Sequence, residues 1–188
     1  MGARMRDKGN AGGNEGPGRT PAGIGTPPDQ LGRLYLSYCR QRLSEEYLPR
    51  ILRCLGELAD DDIWWRPNEN ANSVGNLVLH LSGNVRQWIV SGLGGADDVR
   101  DRKSEFSERG PVPRDELVER LVTTLRDADE ALARFDPARL SETRRIQVYD
   151  ATCLDALSHV VEHFAQHLGQ IVYITKLRRG VDLKFYDL

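Results

Sequence analysis

Apolar residues recur at helical spacing in four long stretches of the chain, and polar or glycine-rich segments separate them. The first stretch opens at Asp29, a good N-cap, and carries Leu31, Leu34, Tyr35, Tyr38 and Leu43 as its expected apolar stripe. Pro49 falls inside the same periodic region, where a missing backbone donor predicts a kink or a division from "RILRCLGEL". The second runs from the N-cap Ser73 through "VGNLVLHLSGNVRQWIVSGL", with Leu77, Leu81, Val85, Trp88 and Ile89 on one face. The third, "PRDELVERLVTTLRDADEALARF", begins with Pro113 suited to its first turn and keeps Leu117, Leu121, Leu125, Ala128 and Leu132 in register. The last extends from about Thr152 to about Arg179, ~40 Å at ~1.5 Å per residue, and Gly180 is its natural stop.

Between them, "ADDDIWWRPNENAN" reads as a polar connection in which Trp64 and Trp65 plug the end of a core. "ADDVRDRKSEFSERGPV" is charged and aperiodic, so a surface excursion is expected, and "RIQVY" reads as a short extended piece. Four amphipathic helices with little strand propensity predict an all-α fold, an antiparallel four-helix bundle. In such folds, sites are built from inward-facing side chains of neighbouring helices. Residues 1–28 are rich in Gly and Pro and nearly devoid of apolar side chains. They are expected to form a disordered tail, because they cannot offset their ordering entropy by burial; residues 29–188 form the domain.

Composition narrows the function classes. A formal net charge of −2 over 188 residues gives no bulk attraction to nucleic acid or to anionic lipid, and no apolar run is long enough to span a bilayer. The three cysteines, Cys39, Cys54 and Cys153, form no CxxC pair and follow no apolar leader. Core thiols in a reducing cytoplasm are the expectation.

Only four histidines occur, and three of them, His159, His163 and His167, lie four residues apart in the last helix. The fourth, His80, is in the middle of the second. Imidazoles one turn apart share a helix face and can reach one ion, and a third from another helix makes a three-histidine set with a coordination position left open. The outer two of the last-helix trio stand ~12 Å apart along the axis, so one pair must be chosen. Gln170, on the face of His167, favours His163 with His167. On the second helix His80 shares its face with Asn76, Asn84 and Gln87, with Gly83 among them, which predicts a polar pocket inside the bundle. "HVVEH" fits an inverted zinc-protease pattern with Glu162 as base, but no Glu follows His163 to complete it. For any single histidine a solvated position is the simpler reading; for this constellation, metal binding is favoured.

With "NSVGNLVLHLSGNVRQWI" and "HFAQHLGQI" in place, the sequence resembles the DinB/YfiT-like family of metal-binding four-helix bundles over about residues 29–179. The resemblance implies His80, His163 and His167 as metal ligands and Gly169–Gln170 as the motif's trailing pair. It leaves His159 outside the triad, as a histidine that backs the ligands one turn before the site or is buried and neutral. It further implies a metal-dependent S-transferase that joins a low-molecular-weight thiol to an electrophilic small molecule, and a homodimer. Zinc, nickel and iron all accept imidazole. Asn84, Gln87 and Gln170 are expected to orient the partners, and Arg86 is a candidate for a carboxylate on the thiol. A metal-dependent hydrolase and a non-enzymatic, metal-stabilised binding bundle are the alternatives.

Overall fold

The computed structural model describes residues 28–110 and 112–185, so the expected tail lies outside the described residues except for Pro28, which opens the first helix. Helix α1 (Pro28–Gln41) passes through a π-helical turn, Arg42–Tyr47, into α2 (Leu48–Glu57). Pro49 therefore does not end the helix. It sits in the first turn of α2, and the wider turn precedes it, where a proline's missing donor and bulky ring are accommodated. The short helix α3 (Asp60–Trp64) lies in the connection that the pattern left irregular. Helix α4 (Val74–Val85) is capped by Ser73, whose hydroxyl accepts from the Asn76 amide while the Asn76 side chain accepts from the Ser73 backbone. It continues as a π-helical turn, Arg86–Ser91. A second short helix, α5 (Arg102–Ser107), precedes α6 (Arg114–Arg134), for which Pro113 is the N-cap. A 3-10 turn, Pro137–Ser141, leads into an antiparallel hairpin of β1 (Thr143–Ile146) and β2 (Tyr149–Thr152), in which Ile146 pairs with Tyr149. The chain then enters α7 (Cys153–Arg179), capped by the Thr152 side chain. It is stopped by Gly180 at φ 63°, a left-handed conformation that glycine takes without steric cost.

The fold is all-α apart from that hairpin. Its four helical rods touch along directions fixed by residue pairs. Arg86 faces Asp127 and Gly94 faces Ala131, so α4 and α6 advance together. Tyr35 meets Ser158 and Tyr47 stacks on Phe164, so α1 and α7 also run the same way. His80 meets His163 and Trp88 meets His159, so α4 and α7 run oppositely. Arg40 with Asp129 and Arg114 with Asp60 oppose the first rod to α6. One cluster of buried residues from all four rods forms the core, with Phe164, Leu77, Leu81, Ile89, Leu121 and Leu157 among its largest members. The expected stripes of α4 and α6 are buried. The stripe expected on α1 is buried only in part: Leu43 is in the core and Tyr35 packs on it, but Leu31, Leu34 and Tyr38 are exposed, and Leu36 and Cys39 face inward in their place. Both sets fit helical periodicity, and only packing against the 3-10 turn and α7 selects the second.

Trp64 packs on the core and donates from Nε1 to the Val112 carbonyl at 3.3 Å, as expected of a plug. Cys39, Cys54 and Cys153 are buried and free. Among the described residues no helix is long and apolar enough to cross a membrane.

Candidate metal centre

Helix α4 is buried nearly all round, and its polar face is buried with the rest: Asn76, His80, Asn84 and Gln87 are each under 7 % exposed. A buried amide or imidazole needs a partner, and these side chains find theirs at α7 and at the segment around α5. His80, His163 and His167 present ligand nitrogens that all lie within 4.8 Å of one another. The Nε2 atoms of His80 and His163 are 2.8 Å apart. The His167 ring meets the His163 ring edge-on at 4.4 Å and the His80 ring at 5.1 Å.

The far nitrogens of two rings are held. His80 Nδ1 donates to Glu105 Oε2 at 2.9 Å, and His167 Nδ1 donates to Gln170 Oε1 at 2.8 Å. Each bond fixes the tautomer and turns Nε2, with its lone pair, toward the centre of the cluster. Lone pairs converging at this distance repel unless a proton or cation is shared among them, so the donor set fits a divalent ion. Burial pushes the pKa of His163 down to about 3, and the neighbouring His167 and His80 add to the effect. Burial also lowers that of His167, against the opposing bond to Gln170. Both rings are therefore neutral near pH 7, the state in which imidazole ligates.

Glu105 is held in turn. Arg100 donates from Nε to Oε1 at 2.7 Å and from Nη2 to Oε2 at 2.8 Å, and its Nη1 donates to Gln87 Oε1 at 2.9 Å. Asn76 Nδ2 donates to the Glu105 carbonyl at 2.9 Å. The Glu105 and Arg100 side chains are 8 % and 4 % exposed. Burial drives the Glu105 pKa up, but the hydrogen bonds from Arg100 and His80 outweigh it and leave the group below its ordinary value. Room for this clamp comes from Gly83, since a Cβ there would lie 1.9 Å from Glu105 Oε1 and 2.9 Å from Arg100 Nε. Charged and aperiodic, the segment expected to be a surface excursion thus delivers two buried ionic side chains to the back of His80.

A cleft of about 590 Å³ opens beside the cluster, bounded by His80, Asn84 and Trp88 of the α4 rod, by His159 and His163 of α7, and by the hairpin. His159 is exposed along this wall. It lies 4.6 Å from the Trp88 ring and 5.3 Å from that of His163, so of the two expectations for it the structure fits a ring that backs a neighbouring histidine and not a buried one. Burial by these neighbours still lowers its pKa. Its ring leans on that of His163 without reaching the shared centre. Gln87 serves the Arg100 clamp and accepts from Gln147. Gln170 reaches His167. Arg86 pairs at 3.8 Å with Asp127 on α6 and does not line the cleft, which removes it as a partner for a bound carboxylate. Glu162, the proposed base of the protease pattern, is exposed.

Sequence reasoning missed Glu105 and Arg100. One signal was present: Gly83 stands one turn from His80 in an otherwise bulky helix, which marks close approach by another segment.

A family model described as "Protein of unknown function (DUF1572)" matches residues 30–186. No curated protein matches the chain.

Proposed function

The chain belongs to the DUF1572 family, and from that premise we propose that it is a metal-dependent enzyme of the DinB/YfiT-like kind that transfers a low-molecular-weight thiol to an electrophilic small molecule. The observation that carries the reading is the convergence of His80, His163 and His167 within 4.8 Å beside an open cleft. Three neutral imidazoles leave a bound divalent ion its full charge, which lowers the pKa of a coordinated thiol and makes a nucleophile available at neutral pH. Glu105 and Gln170 keep the histidine nitrogens aimed, and Arg100 keeps Glu105 in place. Trp88 and Tyr149, stacked at 6.3 Å, form an aromatic wall against which the electrophile packs. Burial pushes the Cys39 thiol up to about 11 and raises Cys54 and Cys153 as well, so the nucleophilic sulfur is supplied by a second molecule. Zinc, nickel and iron are the candidate ions; a homodimer and a cytoplasmic setting belong to the same reading.

The test is elemental analysis of the purified protein, followed by turnover of a generic electrophile with and without added thiol. Stoichiometric metal and thiol-dependent turnover are expected. Turnover that ignores thiol would turn the assignment to a hydrolase, and bound metal without turnover would turn it to a binding bundle.

A further inference from the structure

The cleft has chemistry beyond its histidines. Asn84, one turn from His80, lines it and is 3 % exposed, and its side chain makes no hydrogen bond among the described residues; its Oδ1 is enclosed without a partner. A buried amide left unpaired is costly, and one beside a cleft marks a place where a ligand's polar group arrives. At the mouth is Arg102, the first residue of α5. It is exposed and forms no ion pair among the described residues, and its guanidinium rests 5.0 Å above the Phe106 ring. Phe106 in turn lies 4.6 Å from the His80 ring. Of the other charges on the cleft, Arg100 is held by Glu105 and Asp150 by Arg145 at 3.0 Å, while the Asp155 carboxylate accepts from the Thr152 hydroxyl at 2.7 Å at the start of α7.

We propose that Arg102 is a specificity-determining residue for an organic anion: the small molecule that anchors at the histidines carries a carboxylate several bonds away, and that carboxylate pairs with the Arg102 guanidinium. The inference rests on the thiol reading of the site and names the class of thiol. The His80 and Phe106 ring centres are 4.6 Å apart and the Arg102 guanidinium is 5.0 Å from the second ring, so the span is at most about 10 Å, and an extended chain of roughly six to eight bonds crosses it at about 1.2 Å of advance per bond. The Phe106 face orients the guanidinium without neutralising it, as a cation over an aromatic ring keeps its N–H donors free at the edge. Arg86, which the sequence offered for this role, is on another face.

The experiment compares 6-mercaptohexanoate, whose sulfur and carboxylate are separated by a chain of that length, with its methyl ester, which keeps the sulfur and loses the charge, by calorimetric titration into the metal-loaded protein at low ionic strength. A bound ion also attracts the acid, so the informative quantity is the change in the acid-to-ester affinity ratio on Arg102→Gln, a substitution at an exposed side chain. A fall of about three- to fivefold in that ratio is expected, with Arg102→Lys retaining part of it and 0.5 M salt erasing most of the difference. An unchanged ratio in Arg102→Gln, with both thiols still binding, would overturn the role of Arg102 and leave the thiol reading standing. Binding of neither thiol to protein that retains its metal would overturn both.

Discussion

Glu105 Oε2 lies 2.9 Å from His80 Nδ1, while both carboxylate oxygens accept from Arg100. A lone buried carboxylate behind an imidazole would draw its proton and give the ring anionic character. With the guanidinium bonded to the same oxygens, that pull is tempered, and the bond to Glu105 holds the His80 ring with Nε2 turned toward His163. The orientation of His80 within the candidate metal centre thus depends on a segment that contributes no histidine to it.

Replacing Glu105 tests this directly. Glu105→Ala leaves Arg100 buried without its counter-charge and His80 Nδ1 without an acceptor, and metal affinity is expected to fall about 10- to 100-fold. Glu105→Gln keeps one acceptor oxygen and should lose less. Competition against a chromophoric chelator measures both, and equal affinity in all three proteins would show that the pair does not orient the ligand.

Gly83 supplies the space for that clamp, so adding one methyl group should be disproportionately harmful. In Gly83→Ala the new Cβ meets the Glu105 carboxylate, and a buried ion pair cannot step aside without losing hydrogen bonds. A stability loss of ~1–3 kcal/mol is expected, together with weaker metal binding, even though alanine is the better helix former. Denaturant unfolding with and without metal reads both effects.

These two cases show what the sequence could reveal. Local chemistry was largely legible: Ser73 caps α4, Gly180 stops α7, and the stripes of α4 and α6 face the core, because each depends on residues within a turn or two. Asp29, expected as a cap, instead lies inside the first turn of α1, which opens at Pro28. The convergence of His80, His163 and His167 was legible as well, since their rarity and spacing survive without knowledge of tertiary contacts. The exposed stripe of Leu31, Leu34 and Tyr38 was misread because two faces of α1 fit the same period. The buried pair Arg100–Glu105 was missed because a charged aperiodic segment reads as solvated until a partner surface is known. Both errors arise from packing between rods, which local pattern does not encode.

The choice of histidines on α7 separates by substitution. His163→Ala should lose stoichiometric metal, because its Nε2 lies 2.8 Å from that of His80. His159→Ala should keep it, since that ring leans on Trp88 at the cleft wall. Elemental analysis of the two variants decides; full metal content in the first would refute the assigned triad.

The same burial that holds His163 neutral makes the metal-free protein sensitive to acid. An unfolded histidine titrates near 6.5, whereas in the fold His163 does so at about 3, with His167 lowered too. Between those values the unfolded chain binds more protons than the native one. Stability therefore rises with pH through that window and levels off above it. Glu105, lowered by Arg100 and His80, acts in the same direction at the acid end. In excess chelator, the thermal midpoint should fall steadily from pH 7 to pH 5, and His163→Gln should flatten that slope. A slope equally steep in the variant would place the acid sensitivity elsewhere.

If the transferred sulfur comes from a second molecule, the protein's own thiols should be silent. Cys39, Cys54 and Cys153 are 0–1 % exposed, and burial raises the pKa of each, that of Cys39 to about 11. The thiolate is the reactive form, so at pH 7.5 these residues lack both ionisation and access. A chromogenic disulfide should titrate no thiol promptly in the native protein and all three after denaturation. Replacing the cysteines singly by serine is expected to lower stability by burying a hydroxyl, while thiol-dependent turnover per folded molecule stays unchanged. Loss of turnover in one well-folded cysteine variant would mean that the nucleophile is internal, because the metal and its histidines would still be in place.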